Sequence, residues 1–297
     1  MDGFLAINKP KGITSHDAVA FARRRLKIRK IGHAGTLDPM ATGVLILGIG
    51  AATRLLEYIQ NSEKEYEAEI TFGATSSTDD ADGEIAKFPD AQMITRTDFE
   101  QALPEFIGTI HQIPPQFSAI KVSGQSAHRL ARSGKEVKLK SREVVIHDIQ
   151  IRRFDFPKAE ISVRCGKGTY IRSLARDLGA RLETGAYLSK LTRTRVGEFN
   201  LNKALPLRSI RADKVAPIES GVTLPQINLT RLEADKIQNG QRISSRTSDP
   251  LVAAFFEDHF LGILSREESK HSLRPEKVFT RNLPTEKLIE FATRKIR

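Results

Sequence analysis

The chain has 297 residues, enough for a sizeable core, and this length suggests one large domain and one smaller domain. Lysine and arginine outnumber aspartate and glutamate by 47 to 36, and the resulting net charge of +11 suits a polyanionic partner. The single cysteine, Cys165, excludes an internal disulfide and a multi-thiolate metal site, so we expect a reducing, cytosolic environment. The longest apolar run, at residues 44–52, is too short to span a bilayer and the N-terminus has no apolar signal core, so we expect a soluble protein.

Hydrophobic periodicity predicts a mixture of strands and helices along the first 200 residues. Apolar runs and alternation predict strands at residues 4–8, 44–50, 65–73, 144–154 and 159–165, and a further strand that ends near residue 195. Helical spacing predicts helices at residues 14–25, 51–59, 97–103, 127–132 and 170–182. Thr14 followed by Asp17 is a capping-box pattern, which marks the start of the first helix. The acidic, polar stretch at residues 76–84 is expected to be a loop.

Two segments depart from this pattern. Residues 112–142 carry six lysines and arginines after Lys121, and we expect an exposed basic excursion there. Periodicity fades between residues 207 and 229, which predicts a domain boundary, and the sequence VAAFFEDHFLGIL in the tail is typical of a β-hairpin. The fold class is therefore predicted to be α+β, with a small β-rich domain at the C-terminus.

The densest cluster of candidate site residues is GHAGTLDP, at residues 32–39. Pro39 biases Asp38 toward an extended backbone, and the glycines permit a tight loop that can present a carboxylate rigidly. The alternatives are that Asp-Pro merely starts a turn, and that His33 is an ordinary surface or core histidine.

Arg172 is a second candidate because it breaks a local rule. Thr169 is expected to be the N-cap of the last predicted helix, and the capping-box position three residues later, where Glu is favoured, holds this cation. A cation there opposes the helix dipole, which indicates a nearby anion, either an RNA phosphate or a carboxylate of the protein. The alternative is a solvated arginine.

Aromatic and metal-binding side chains are scarce. The chain has no tryptophan and four tyrosines, so Tyr66 and Tyr170 are among the few flat side chains that can stack on a base. Tyr66 also lies on the apolar side of its predicted strand and is alternatively a core residue. The seven histidines are scattered without an HExxH motif, and there is no GxxxxGK[ST] loop, so we expect neither a metal nor a cofactor.

Six segments resemble, in order and spacing, the TruB family of bacterial tRNA pseudouridine synthases: INKPKGITSH, GHAGTLDPMATGVLILGIGAATRL, EYEAEITFG, IPPQFSAIKVSG, CGKGTYIRSLARDLG and GAYLSKLTRTRVG. This resemblance covers about residues 3–200 and implies the pseudouridine synthase fold, a mixed, largely antiparallel sheet flanked by helices, over residues 1–210. The tail, with IQNGQRI, the hairpin sequence and LRPEKVF, resembles the small RNA-binding PUA domain that many members carry. It implies a PUA-like domain over residues 228–297.

The resemblance implies that the chain isomerises uridine 55 in the T loop of tRNA to pseudouridine by flipping the base. Asp38 matches the catalytic aspartate, Arg172 its paired arginine and Tyr66 the tyrosine that stacks on the target base. Further expected substrate-binding residues, besides Tyr66, are His33, Tyr170 and Leu191. Residues 115–142 are expected to clasp the RNA arm, and the expected RNA-binding residues there are Lys121, Arg129, Arg132 and Lys135.

The implied partner is the T arm of tRNA, with no membrane, no obligatory protein partner and a monomeric state. Two alternatives stay open. One is a guide-dependent synthase of the related dyskerin type, which acts only within a ribonucleoprotein, and the compact length argues against it. The other is an RNA-binding or tRNA-folding factor with an inactive pocket, and the intact set of Asp38, Tyr66 and Arg172 argues against that.

Overall fold

The computed structural model describes residues 1–88, 91–118, 121–122, 125–126, 139–267 and 271–279. The strands are β1 (Gly3–Lys9), β2 (Ile31–Ala34), β3 (Thr42–Ile49), β4 (Lys64–Phe72), β5 (Ala74–Ser76), β6 (Ile85–Lys87), β7 (Gly108–Gln112), β8 (Lys121–Val122), β9 (Gln125–Ser126), β10 (Arg142–Asp155), β11 (Lys158–Cys165), β12 (Ala186–Val196), β13 (Phe199–Asn200), β14 (Leu205–Pro206), β15 (Gln226–Asn228), β16 (Ile243–Ser244), β17 (Leu251–Phe256), β18 (His259–Glu267) and β19 (Ser272–Val278). The α-helices are α1 (Ser15–Leu26), α2 (Leu56–Asn61), α3 (Arg96–Ala102), α4 (Ile171–Arg181) and α5 (Arg231–Gln238). Short 3-10 helices cover Gly50–Leu55, Leu103–Phe106, Leu201–Lys203, Leu207–Ser209, Ala212–Lys214 and Ile218–Gly221.

The largest sheet has ten strands, whose main order is β14-β1-β3-β12-β4-β11-β10-β7, with β2 beside β3 and β13 beside β12. The pairs β1/β14 and β3/β12 are parallel. The other pairs in this sheet are antiparallel. The predicted mixed, largely antiparallel sheet flanked by helices is confirmed.

Strand β4 shows why the alternating sequence produces this sheet. Its apolar residues are buried on one face, as predicted for a half-buried strand: Tyr66, Ala68, Ile70 and Phe72. Glu69 lies on the other face but is also buried, because Lys190 of β12 and Lys158 of β11 contact its carboxylate at 2.7 and 3.1 Å. Cross-strand ion pairs thus cover a position that the pattern predicts to be solvated.

Apolar clusters lie on both faces of the large sheet. On one face, α1, α3 and α4 contribute buried residues to the main cluster, among them Val19, Phe99 and Leu174. On the other face, a second cluster combines residues of the large sheet, of the 3-10 helix Gly50–Leu55 and of the C-terminal strands, including Phe4, Ile46, Leu55 and Phe260. Phe279, directly after β19, belongs to the same cluster. The C-terminal strands therefore pack against the second face.

The C-terminal strands form a five-stranded sheet in the order β15-β17-β18-β19-β16. The predicted hairpin is present as β17 and β18, which pair antiparallel. Polar contacts join this sheet to the segment that contains α2: Arg54 Nη1 donates to the carbonyl of Val278 at 2.8 Å, and Lys277 lies 2.9 Å from Glu57. No helix in the described part of the chain is long and apolar enough to cross a membrane.

Most predicted helices are present, and the starts of α1 and α3 are defined by side-chain caps. The backbone nitrogen of Asp17 donates to Thr14 Oγ1 at 3.0 Å and that of Thr14 donates to Asp17 Oδ2 at 2.9 Å, which confirms the capping box. The helix predicted at residues 51–59 is wrong in type and extent, because its first part is a 3-10 helix and its α-helical turn continues to Asn61. The helix predicted at residues 127–132 lies outside the described residues.

Candidate active site

A cavity of about 600 Å³ lies between the loop that follows β2 and the first turn of α4. Six residues that the sequence singles out line this cavity: His33, Asp38, Tyr66, Tyr170, Arg172 and Leu191. They come from β2, the loop after it, β4, the start of α4 and β12, so the fold brings together residues that are distant in sequence. The volume lies in the range of roughly 300–1,000 Å³ that is typical of small-ligand pockets.

The loop that carries Asp38 is held from two sides. Ser15, at the start of α1, accepts a hydrogen bond from the backbone nitrogen of Leu37 at 2.8 Å and donates one to its carbonyl at 3.0 Å. The backbone nitrogen of Gly12 donates to the carbonyl of Pro39 at 2.8 Å. Hydrogen bonds thereby hold both neighbours of Asp38 in sequence, as expected of a loop that presents a carboxylate.

Asp38 and Arg172 form an ion pair at the wall of this cavity. Arg172 Nη2 donates to Asp38 Oδ1 at 3.2 Å, and Nε lies 3.0 Å from Oδ2 without the alignment of a hydrogen bond. The Asp38 side chain is 31 % exposed, whereas the Arg172 side chain is 4 % exposed. The carboxylate therefore faces the cavity, and the guanidinium lies behind it.

Asp80 is a second carboxylate on the same guanidinium, and the sequence did not single it out. Its Oδ2 lies 3.3 Å from Arg172 Nη1, and its side chain is 5 % exposed. Arg172 also donates to the carbonyls of Thr78 and Phe117, at 3.0 and 3.1 Å. Asp80 belongs to the polar stretch predicted to be a loop, and nothing in the local sequence separates it from the neighbouring aspartates.

The anion expected beside Arg172 is thus a pair of carboxylates of the protein. The expected N-cap is wrong, however, because Tyr170 occupies that position and makes no side-chain cap hydrogen bond. Thr169 instead donates from its Oγ1 to the carbonyl of Gly166 at 3.3 Å, within the turn that precedes α4. Arg172 lies in the first turn of α4, where its positive charge interacts unfavourably with the helix dipole. The carboxylates of Asp38 and Asp80 offset this unfavourable interaction.

Burial controls the ionisation of this group of residues. Desolvation raises the pKa of Asp38 above its usual value, Arg172 opposes the rise, and the negative charge of Asp80 adds to it. Lys9 is fully buried behind the loop, and desolvation lowers its pKa to about 8 although Asp38 acts in the opposite direction. The site is therefore a pocket in which desolvation disfavours the charged form of Asp38 and the guanidinium of Arg172 favours it.

Aromatic rings and a histidine form the remaining walls. Desolvation raises the pKa values of Tyr66 and Tyr170, so both phenols are neutral at physiological pH. Gln112 fixes the backbone of Tyr170 by donating to its carbonyl at 3.1 Å and accepting from its nitrogen at 2.8 Å. Desolvation lowers the pKa of His33, and the ring of His16 lies edge-on to it at 5.4 Å between centroids. The pocket can therefore hold a flat, uncharged ring beside a carboxylate.

Arg193 is another pocket residue that sequence reasoning missed. Its side chain is buried, and it donates to the carbonyls of Val44 and Gly35 at 2.8 and 3.1 Å. Alternation along β12 places it on the same face as Leu191. A buried arginine that binds backbone carbonyls could have been proposed from that alternation, but LTRTR contains two arginines and does not indicate which one is buried.

The four expected RNA-binding residues are only partly within the described chain. The backbone of Lys121 lies in β8, which pairs with β9, and its side chain is outside the described structure. Arg129, Arg132 and Lys135 lie outside the described residues.

Comparisons with known proteins agree on one family. A sequence profile described as "TruB family pseudouridylate synthase (N terminal domain)" matches residues 23–171. The chain is 44 % identical over 289 residues to tRNA pseudouridine synthase B of Thermobifida fusca (strain YX), and the alignment covers 94 % of the chain and 98 % of that relative. It is 42 % identical over 285 residues to tRNA pseudouridine synthase B of Carboxydothermus hydrogenoformans, covering 94 % and 99 % of the two chains.

Solved structures show the same fold at lower identity. A chain of a Cbf5-Nop10-Gar1 complex is similar with a TM-score of 0.74 and 24 % identity, covering 96 % of this chain and 86 % of that one. A chain of an H/ACA RNP bound to a substrate RNA containing 2'-deoxyuridine has a TM-score of 0.72 and 23 % identity, covering 95 % and 85 %. These structures show the fold, and the profile and the relatives named above show that the chain belongs to the TruB family of pseudouridylate synthases.

Proposed function

We propose that this chain is a tRNA pseudouridine synthase that converts uridine 55 in the T loop to pseudouridine. The observation that carries the proposal is the Asp38–Arg172 ion pair at the wall of a cavity with two tyrosines. Its close relatives are named tRNA pseudouridine synthase B. The reaction breaks the bond between C1′ and N1, turns the base and joins C1′ to C5, while C5 releases a proton and N1 gains one. This isomerisation needs no donor of electrons or phosphate.

Asp38 is the residue that we assign to the chemistry. Attack on C1′, attack on C6 of the base and assistance to elimination across the ribose all require an ionised carboxylate. Desolvation in the pocket disfavours that form, and the buried guanidinium of Arg172 counters it. Arg172 therefore keeps Asp38 charged in a pocket from which the substrate excludes water.

The other cavity residues are assigned to the flipped nucleotide. A base in a structured loop leaves its stack at a cost of a few kcal/mol, which stacking on a protein ring can offset. Tyr66 provides that ring, and Tyr170 and Leu191 complete the walls of the uridine pocket. The imidazole of His33, which burial keeps neutral, occupies the space that the base leaves or forms hydrogen bonds there.

Contacts with the rest of the RNA are assigned to two further parts of the chain. Residues 115–142, with Lys121, Arg129, Arg132 and Lys135, are proposed to clasp the T arm. Residues 228–297 are proposed to be a PUA-like RNA-binding domain, and the five-stranded sheet supports this assignment. Within this proposal residues 1–210 are the catalytic domain, and the chain acts in the cytosol as a monomer without a guide RNA or protein partner.

The experiment that tests this function uses the purified chain alone. A T-arm transcript labelled with tritium at C5 of uridine is incubated with the protein and no other macromolecule. We expect stoichiometric release of tritium and one pseudouridine per transcript, at the position that corresponds to uridine 55. Release that required an added guide RNA or protein partner would favour the guide-dependent class. Tight binding without any release would favour an RNA-binding or tRNA-folding factor.

A further inference from the structure

A second cavity, of about 810 Å³, lies between α1 and the segment that follows β13. It shares no lining residue with the cavity around Asp38. Thr192 lines the second cavity and its neighbour Leu191 lines the first, so the two cavities lie beside adjacent residues of β12. The apolar lining includes Ile13, Phe21, Leu201 and Leu207.

Exposed cations surround the mouth of this cavity. Lys11 and Arg208 belong to its lining and are exposed. Arg25 lies one turn after Phe21 on the same side of α1, and its Nε donates to the carbonyl of Ile210 at 3.3 Å. That hydrogen bond places a third cation at the same rim, beside the segment that carries Arg208.

The rim continues into a dense run of positive charge at the end of α1. This run consists of six exposed cations: Arg23, Arg24, Arg25, Lys27, Arg29 and Lys30. Within the described part of the chain none of them pairs with a carboxylate, and the side-chain hydrogen bonds of Arg23 and Arg25 go to backbone carbonyls. Like charges at this density repel each other and disfavour the compact state, and the negative end of the helix dipole offsets only part of that repulsion. A polyanion is the partner that such a surface fits.

The mouth of the second cavity lies next to the loop that carries Asp38. The turn that contains Lys11 packs against this loop, because Gly12 donates to the carbonyl of Pro39 at 2.8 Å and Lys9 Nζ reaches the same oxygen at 3.5 Å. One RNA molecule can therefore contact both cavities.

We propose that the second cavity binds the base of another unpaired nucleotide of the RNA whose uridine enters the Asp38 pocket. Phe21 supplies the flat stacking surface, and Lys11, Arg25 and Arg208 hold the adjoining phosphates. The rest of the cation run follows the phosphates of the paired stem, which is why the ligand is RNA and not a free nucleotide. This inference rests on the proposed function, since it takes the substrate to be RNA.

The phosphate contacts are tested by the salt dependence of binding. The dissociation constant of a fluorescein-labelled T-arm hairpin is measured over a KCl series for wild type and for the double variant Lys11→Ala/Arg208→Ala. Each phosphate contact contributes about 0.7 to 0.9 to the slope of log Kd against log salt, so the double variant should lose roughly 1.5. The matched control is Arg152→Ala/Arg153→Ala, which removes two exposed cations at the far end of β10 and should leave the slope unchanged.

The base contact is tested at Phe21. Phe21→Leu keeps an apolar side chain but loses the flat ring, and we expect binding about tenfold weaker. Phe21→Tyr keeps the ring and should bind as wild type does, which separates loss of stacking from loss of folding. A series of hairpins, each with an abasic site at a different loop nucleotide, identifies the base that the cavity binds. At one position other than the target uridine, the abasic site should weaken binding to wild type but not to Phe21→Leu.

Two results would overturn this inference. Equal salt slopes in the rim variant and its control would show that Lys11 and Arg208 make no phosphate contacts. Wild-type affinity of Phe21→Leu would show that no base stacks in the cavity. Tritium release by wild type is measured in the same preparations. Absence of tritium release would contradict the proposed function. Normal release together with either of the two results above would contradict only the role proposed for the second cavity.

Discussion

The guanidinium of Arg172 lies between two carboxylates, and this determines the charge of the site. Asp38 and Asp80 lie 3.0 and 3.3 Å from its nitrogens, so one buried cation balances two potential anions. Such a buried group is unstable when one partner is removed, because a charge is then left without compensation. The arrangement costs stability and places a carboxylate, paired with a buried cation, at the wall of a pocket.

Replacing Arg172 by Ala should damage catalysis much more than RNA binding. The variant loses the cation that keeps Asp38 ionised, so we expect kcat to fall by about 100-fold or more while the RNA dissociation constant changes by only a few-fold. Single-turnover kinetics and filter binding measure the two quantities. The matched control is Arg176→Ala, which removes another ion-paired arginine of α4, bound to Asp79 at 2.9 Å but not lining the cavity. Equal losses of kcat and affinity in Arg172→Ala would instead identify Arg172 as a phosphate contact.

At the scale of elements, helix α1 links the hydrophobic core to the site. Its buried face packs into the main cluster, and its first residue, Ser15, makes two hydrogen bonds to Leu37 in the loop that carries Asp38. The capping box of Thr14 and Asp17 sets where this helix begins. The position of Asp38 therefore depends on a cap that the sequence alone predicts.

Thr14→Ala should reduce both stability and turnover. Loss of the cap is expected to lower the free energy of unfolding by about 1 kcal/mol, measured by urea denaturation, and to lower kcat because Ser15 shifts. Helix α3 offers a matched control, since Thr95 and Asp98 form the same capping box away from the cavity. Thr95→Ala should lose similar stability with normal turnover. Normal turnover in Thr14→Ala as well would show that the loop does not depend on the start of α1.

An element could be predicted from the sequence where interactions between residues close in sequence determine it. Periodicity and capping are local, and they predicted α1, β4 and the β17–β18 hairpin. The 3-10 helix Gly50–Leu55 was missed because packing against the second face of the sheet, and not local propensity, selects its geometry. Asp80 and Arg193 were missed because their burial depends on contacts with residues far away in sequence, Arg172 for the first and the Gly35 carbonyl for the second.

At the scale of the whole molecule, the C-terminal sheet shares a hydrophobic cluster with the large sheet. Phe260 of β18 packs against Phe279 at 5.5 Å between ring centroids, and both belong to a cluster with Phe4 and Ile46. An apolar cluster shared in this way couples the stability of the two sheets. Rigid packing also sets the distance between the Asp38 pocket and the C-terminal RNA-binding surface that we propose.

Phe260→Ala should destabilise the large sheet as well as its own. The chain has no tryptophan and four tyrosines, Tyr58, Tyr66, Tyr170 and Tyr187, all before the C-terminal sheet. Because the Tyr58 hydroxyl donates to Glu276 of β19 at 3.0 Å, the experiment uses a Tyr58→Phe background, in which tyrosine fluorescence reports on the large sheet and α4. We expect the unfolding free energy followed by this signal to fall by about 3 kcal/mol or more, as for other buried Phe→Ala changes. Leu232→Ala, at a position that is 76 % exposed in α5, is the control and should have little effect. An unchanged tyrosine transition in Phe260→Ala would show that the two sheets unfold independently.

The most direct test of the account compares tritium release by wild type and by Asp38→Asn. The amide has nearly the shape of the carboxylate but carries no charge, so the variant should keep its affinity for a T-arm transcript labelled at C5 of uridine. Wild type should release the label of the target uridine completely, and Asp38→Asn should release none within many wild-type turnover times. Comparable release by the two proteins would show that Asp38 takes no part in the chemistry and would contradict the role proposed for it.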